Sequence, residues 1–173
     1  MKSVDKNAPY SDEVDEILSA WKNLIPEADL APLSVFSRLT RLSRHLDVAR
    51  RAAFSRVNLE PWSFDVLSAL RRAGEPFALT PGALMQLSLV SSGTMTNRID
   101  RLEERGLVTR LRHPDDRRAV LVALTDAGQQ SADAAITELL AIERTWLGDM
   151  SEDDITQLAD LLRSLQYSFD NPQ

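Results

Sequence analysis

Residues 91–128 read SSGTMTNRIDRLEERGLVTRLRHPDDRRAVLVALTDAG and contain the most informative patterns of apolar and charged residues in the chain. This stretch begins with a predicted helix over residues 91–105, in which the apolar residues Met95, Ile99 and Leu102 recur at helical spacing. A glycine ends this pattern, and glycine directly after a helix is a common stop signal. Because the apolar side chains face a core, the opposite face of the helix is left for solvent or a partner.

A predicted hairpin and a second predicted helix complete this region. Residues 107–111 and 119–124 are rich in branched side chains and are separated by a charged turn, which is typical of two paired strands. The second predicted helix is shorter and precedes residues 91–105. It runs from Pro81 to about Leu87, with Thr80 as its N-cap. A helix, a turn, a second helix and a hairpin in this order predict a winged helix–turn–helix.

Amphipathic helices flank this unit on both sides. The apolar spacing predicts helices over residues 12–23, 34–57 and 63–72 before it, and helices starting after Thr125 and Ser151 behind it. We therefore expect a mainly α fold with a small β-hairpin wing. Three segments are expected: N-terminal helices at 1–60, the winged helix–turn–helix at 61–125, and C-terminal helices at 126–173.

The net charge of −6 conceals an uneven distribution. Residues 34–125 contain 15 arginines, no lysine and 9 acidic residues, whereas residues 1–33 and 126–173 are acidic. The flat guanidinium group of arginine is suited to phosphates and base edges. A basic centre between acidic ends predicts that one face meets a polyanion while the ends point elsewhere.

The exposed face of helix 91–105 predicts binding to double-stranded DNA. Small side chains let the backbone approach phosphates, and asparagine or arginine can pair with base edges in the major groove. The candidate residues on this helix are Ser92, Thr94, Thr96, Asn97, Arg98 and Arg101. Near the hairpin tip, Arg112, Arg117 and Arg118 can reach a narrow minor groove. The alternatives are a solvated amphipathic helix and a salt-bridged surface turn.

The sequence offers little support for an enzyme. It contains no cysteine and two histidines, which excludes thiolate chemistry and His-rich metal centres. It has no Gly-rich phosphate loop, nucleophile elbow or HExxH pair, so no catalytic residue, metal or cofactor is assigned. The lack of a long apolar run predicts a cytoplasmic protein with no membrane span. The remaining alternative is a non-catalytic winged-helix module that binds protein and has no specific DNA binding.

Residues 91–128, together with WSFDVLSALRRAGEPFALTPGAL at residues 62–84, resemble the MarR family of bacterial transcription regulators. The resemblance implies a homodimer in which the helices at 1–60 and 126–173 interlock for dimerisation, the helices at 1–60 form part of a ligand pocket, and residues 61–125 bind DNA. It also implies a repressor that a small ligand releases from a pseudo-palindromic operator. Helix 91–105 would enter the major groove, and the wing would enter the minor groove. The family's Asp-x-Arg wing motif falls on Asp116 and Arg118, which implies that Arg118 binds the minor groove and Asp116 orients it.

A narrower resemblance is to the urate-responsive, PecS-like branch of that family. The effector residues of the branch map onto Trp21, Asp65, Arg98 and Arg110. A flat anion such as urate would stack on the indole and bind Arg98 while repelling Asp65. If Asp65 pairs with Arg110, the repulsion would pull on the first strand of the wing. The alternatives are that Trp21 is a core or dimer contact, and that Asp65 and Arg110 form only a structural ion pair. Two further alternatives are that Arg98 contacts phosphate instead of the effector, or serves both in turn, and that another small anion is the effector.

Overall fold

The computed structural model describes residues 11–112 and 119–171, and it is mainly helical with one small sheet. The helices in these ranges are α1 Glu13–Leu24, α2 Ala31–Arg56, α3 Pro61–Arg72, α4 Pro81–Ser88, α5 Ser92–Glu104, α6 Asp126–Leu147 and α7 Glu152–Asp170. The strands are β1 Ala78–Leu79, β2 Val108–Arg112 and β3 Val120–Leu124. The order from α4 to β3 confirms the expected winged helix–turn–helix. No helix in the described ranges is long and apolar enough to cross a membrane.

The chain divides within α2 into two compact units, and the first of them ends at Val48. In this unit Asp12 is the N-cap of α1, because its carboxylate accepts hydrogen bonds from the backbone N–H groups of Val14 and Asp15. Arg38 of α2 binds the same end of α1: its Nε lies 2.8 Å from Asp12 Oδ2 and its Nη2 lies 2.7 Å from Asp15 Oδ1.

The second unit, which begins at Ala49, contains the hydrophobic core. Helix α3 carries six buried residues and packs against α4, α5, α6 and the sheet. Met95, Ile99 and Leu102 of α5 are each at most 1% exposed, which confirms the apolar face predicted from their spacing. The rings of Phe54 and Phe64 stack with their centres 4.3 Å apart and join the end of α2 to α3.

The wing is part of a three-stranded antiparallel sheet in the order β1-β3-β2. The predicted hairpin is confirmed, with Val108 opposite Leu124 and Arg112 opposite Val120. The sequence did not indicate β1, because a strand of two residues has no periodicity to read. Residues 113–118 at the hairpin tip lie outside the described residues.

A compact joint connects the end of α5 to the start of α6. Thr125, the predicted N-cap of α6, donates its hydroxyl to the carbonyl of Gly106 at 2.7 Å and accepts a bond from the backbone N–H of Gly128 at 3.0 Å. A Cβ atom added to Gly128 would lie 1.9 Å from the backbone oxygen of Leu107. The absence of a side chain at Gly128 therefore lets α6 begin directly against the chain that leaves α5.

The terminal helices keep uncovered apolar stripes in the single chain. The sequence predicts an apolar face on α7, and Leu158, Leu161 and Leu162 do lie along it, but none of the described residues of this helix is buried. In α2, Leu42 and Leu46 of the predicted stripe are likewise exposed. The periodicity predicts these stripes correctly, but a single chain does not cover them.

Candidate nucleic-acid interface

The start of α5 is fixed by hydrogen bonds between short side chains and the backbone. Ser91 is the N-cap, its Oγ accepts from the N–H of Thr94 at 3.4 Å, and it lies 2.9 Å from Thr94 Oγ1. Thr96 donates its hydroxyl to the carbonyl of Ser92 at 3.0 Å. A Cβ atom added to Gly93 would meet no atom within 4 Å. The first turn of α5 is thus small, polar and open to approach by a large partner.

The residues predicted to bind DNA share the outer face of α5. This face is opposite the buried Met95, Ile99 and Leu102. On it, Ser92, Thr94, Thr96, Asn97 and Arg101 are exposed and Arg98 is half-buried.

The predicted wing residues are only partly described. Arg112 is exposed at the end of β2. Asp116, Arg117 and Arg118 lie outside the described residues, so their roles stay predictions.

Trp62, a residue that the sequence did not single out as functional, lies beneath two arginines of this face. The guanidinium carbon of Arg98 is 5.7 Å from the centre of the indole ring, and that of Arg101 is 4.8 Å from it. Cation–π contacts of this kind hold an arginine near the ring. Trp62 therefore helps to set the direction in which both arginines leave α5.

A cluster around Glu60 forms a second contact with α5. Glu60 Oε1 accepts a hydrogen bond from Arg101 Nη2 at 2.8 Å, and Glu60 Oε2 accepts from Arg105 Nη1 at 3.3 Å and from the hydroxyl of Ser63 at 3.0 Å. Arg105 also donates to the backbone oxygen of Asn58. We call Glu60, Ser63, Arg101 and Arg105 the Glu60 cluster. Glu60 and Arg101 are 41 residues apart, so no local pattern in the sequence predicts their contact.

The charges of this cluster determine the ionisation of Glu60. Burial alone would raise the pKa of Glu60. The hydrogen bond from Ser63 and the positive charges of Arg101 and Arg105 outweigh burial and hold that pKa below its usual value. The carboxylate is therefore ionised at neutral pH and binds both arginines as an anion.

Two residues of the predicted effector set have partners other than those considered in the sequence. The pairing of Asp65 with Arg110 is wrong, because Asp65 binds Arg50 at 3.0 Å and Arg110 binds Asp100 and Glu103 of α5. The cause is the fold: β2 runs beside α5, so its arginine reaches acids on that helix. The hydrogen bond to Asp100 raises the pKa of Arg110, burial opposes the rise, and Glu103 adds to it.

A cavity of about 300 Å³ lies between the end of α2, α3 and α6. Its lining combines three arginines with an aromatic and aliphatic wall: Arg50, Phe64, Ser68, Arg71, Arg72, Ala132, Asp133, Ile136 and Leu139. Arg71 binds Asp133 through two hydrogen bonds of 3.0 Å. A second cavity of about 280 Å³ shares Arg50, Phe64, Ser68 and Arg72 with the first and adds Asp65 to the lining.

The other predicted effector residues lie in different surroundings. Arg98 and Arg110 are absent from the described lining of both cavities. Trp21 belongs to the first unit, where its side chain is 46% exposed on α1. Of the four predicted residues, Asp65 alone is among the described residues that line either of these two cavities.

Comparison with known proteins relates this arrangement to one family. Residues 57–119 match the model of the MarR family. The HTH-type transcriptional regulator PecS of Dickeya dadantii is 36% identical over 150 residues, which cover 87% of this chain and 90% of PecS.

Two solved structures resemble the fold. A mutant MarR from E. coli in complex with operator DNA has a TM-score of 0.63 and 25% identity, with 84% of this chain and 96% of that chain covered. A MarR family protein from Bacillus stearothermophilus has a TM-score of 0.72 at 23% identity, with 83% and 99% covered. From its likeness to PecS over most of both chains and from the matching domain, the chain belongs to the MarR family.

Proposed function

We propose that this protein is a dimeric, sequence-specific DNA-binding transcription regulator, a repressor that a small anion releases from a pseudo-palindromic operator. The proposal rests mainly on the contrast between the two faces of α5. Its apolar face is fully buried, while its outer face presents short hydroxyl and amide groups beside arginine. Such a face is suited to the major groove, where base edges offer distinct patterns of donors and acceptors.

In this proposal α5 is the recognition helix. The N–H groups of its first turn approach a phosphate, Ser92, Thr94 and Thr96 contact the backbone or base edges, and Asn97 and Arg98 read bases. Arg112, Arg117 and Arg118 of the wing follow the minor groove, with Arg118 oriented by Asp116. The likeness to a MarR structure that contains operator DNA supports this docking.

A second copy of the chain covers the terminal helices. None of the 19 residues of α7 is buried in a single chain, although most of the stability of helices in proteins comes from packing of their apolar face. Its row of exposed leucines gives it a surface for a partner. Two recognition helices in such a dimer would read half-sites about 34 Å apart, one turn of DNA.

The effector is proposed to bind in the cavity between α2, α3 and α6. Guanidinium groups bind carboxylates and similar planar anions through paired hydrogen bonds, and Phe64 offers a flat apolar wall. Asp65 lines the adjoining cavity and would repel the anion. Urate is the first effector to test, and Trp21, Arg98 and Arg110 are the further effector residues that the resemblance implies.

The test begins with selection of duplexes from a random pool by the wild-type protein. Fluorescence anisotropy then compares the selected duplex with a random one, with and without urate. We expect tighter binding of the selected duplex, a stoichiometry of two chains per duplex, and release on adding urate. If the protein enriches no sequence, or binds DNA as a monomer, the proposed function is contradicted. Specific binding that ignores urate would remove only this effector and lead to a screen of other anions.

A further inference from the structure

Glu60 occupies the N-cap position of α3 but does not cap that helix. The short polar side chains preferred at an N-cap accept a hydrogen bond from a backbone N–H of their own helix, and the longer side chain of Glu60 makes no such bond. Its carboxylate turns to α5 and binds Arg101 and Arg105, while the buried hydroxyl of Ser63 donates to it. The carboxylate thus links the side chain of Ser63 in α3 to two arginines at the C-terminal end of α5.

This contact changes the charge that α5 offers to DNA. Two free arginines would present two positive charges to the phosphates, whereas the Glu60 cluster presents a net charge of +1. Arg101 is also held over the ring of Trp62 on one side. Since each arginine that neutralises a phosphate adds affinity regardless of sequence, holding two of them on the protein reduces that affinity.

We propose that Glu60 limits sequence-independent DNA binding by keeping Arg101 and Arg105 on the protein and off the DNA backbone. The inference rests on the proposed function, because it concerns the same helix. It differs from the sequence-based expectation that Arg101 contacts DNA. It leaves recognition to the N-terminal half of α5, where Thr94 and Asn97 are exposed.

The test substitutes Glu60→Gln. Glutamine keeps the size of the side chain and an oxygen for the hydroxyl of Ser63, so the fold around α3 is retained. Glu104→Gln is the matched control, because it removes one negative charge from the exposed end of α5 and the described part of the chain shows no ion pair for Glu104. Thermal unfolding of all variants confirms that they are folded.

Anisotropy titrations measure the affinity for a random duplex between about 50 and 200 mM salt. We expect Glu60→Gln to raise this affinity by about fivefold, more than the control does. The slope of log affinity against log salt should steepen by about 0.9 for each arginine that reaches a phosphate, an extra loss of ~3.5-fold over this range. The double variant with Glu60→Gln and Arg101→Gln should lose part of this increase in affinity for the random duplex.

Two outcomes would overturn the inference. If Glu60→Gln matches Glu104→Gln in affinity and slope, the cluster does not restrain the arginines. If Glu60→Gln weakens binding, the carboxylate directs the arginines toward DNA. Both outcomes are measured on the random duplex, so they test the inference even if the wild type selects no sequence. Failure to select a sequence would contradict the proposed function alone.

Discussion

Gly128 is the glycine at which an added Cβ atom would meet the closest contact. In Gly128→Ala the new Cβ would lie 1.9 Å from the backbone oxygen of Leu107 and 3.1 Å from Leu124 Cδ2. A backbone oxygen cannot rotate away as a side chain does, so the first turn of α6 has to move by more than 1 Å (estimated from ordinary carbon–oxygen contact distances, about 3.4 Å).

The energetic cost follows from these contacts. Overpacking of this kind costs about 1–3 kcal/mol. The displaced turn also loses the cap from Thr125, worth ~1 kcal/mol, and the helix preference of alanine over glycine returns ~1 kcal/mol. The free energy of unfolding should therefore fall by about 2 kcal/mol, a decrease in Tm of roughly 4–8 °C for a chain of this size.

The control for this prediction is Gly82→Ala in α4. A Cβ at Gly82 meets only Thr80 Oγ1, at 3.8 Å, so this change should stabilise the protein by ~0.4–1 kcal/mol by lowering the conformational entropy of the unfolded chain. Circular dichroism during thermal and urea unfolding, at one protein concentration, measures both variants. A Gly128→Ala protein at least as stable as the wild type would refute the close approach of α6 to Leu107.

Three further changes test the site. Asn97→Ala should weaken binding to the selected duplex by ~1–3 kcal/mol and leave binding to a random duplex unchanged; equal losses on both duplexes would make Asn97 a phosphate contact. Arg72→Gln should raise the urate concentration needed for release by about tenfold or more, since one charge-assisted hydrogen bond is lost, and an unchanged urate titration would exclude the cavity. Arg110→Gln should lower the free energy of unfolding by under ~1 kcal/mol, because its ion pairs with Asp100 and Glu103 are partly exposed, and a Tm decrease above roughly 4 °C would show that these pairs do more than expected.

The sequence was sufficient where the controlling interactions are local. The spacing of Met95, Ile99 and Leu102 identified the buried face of α5, and hydroxyl side chains marked the N-caps at Thr125 and Ser151. A cap bonds to its own helix, and a helical face repeats every three or four residues, so short windows contain all the information.

It was insufficient where partners come from distant parts of the chain. The sequence contains several residues of opposite charge with which Asp65 or Arg110 could pair. Only the packing of β2 on α5 selects Asp100 and Glu103 as the partners of Arg110. For Glu60 the sequence indicates only a position near the start of a helix, and not the contact with α5. The apolar stripe of α7 is visible in the periodicity of the sequence, but what covers that stripe is not, because no described part of the single chain buries it.

The joint at Thr125 also has a mechanical consequence. If α5 and α6 turn together about this joint, they are two arms of one lever. At 1.5 Å per residue, the 22 residues of α6 make an arm of about 33 Å, and the 13 residues of α5 make one of about 20 Å. A displacement of ~1 Å at the far end of α6 then moves the first turn of α5 by only ~0.6 Å. In such a lever, a displacement of the far end of α6 is reduced at the first turn of α5, the end that we propose faces DNA.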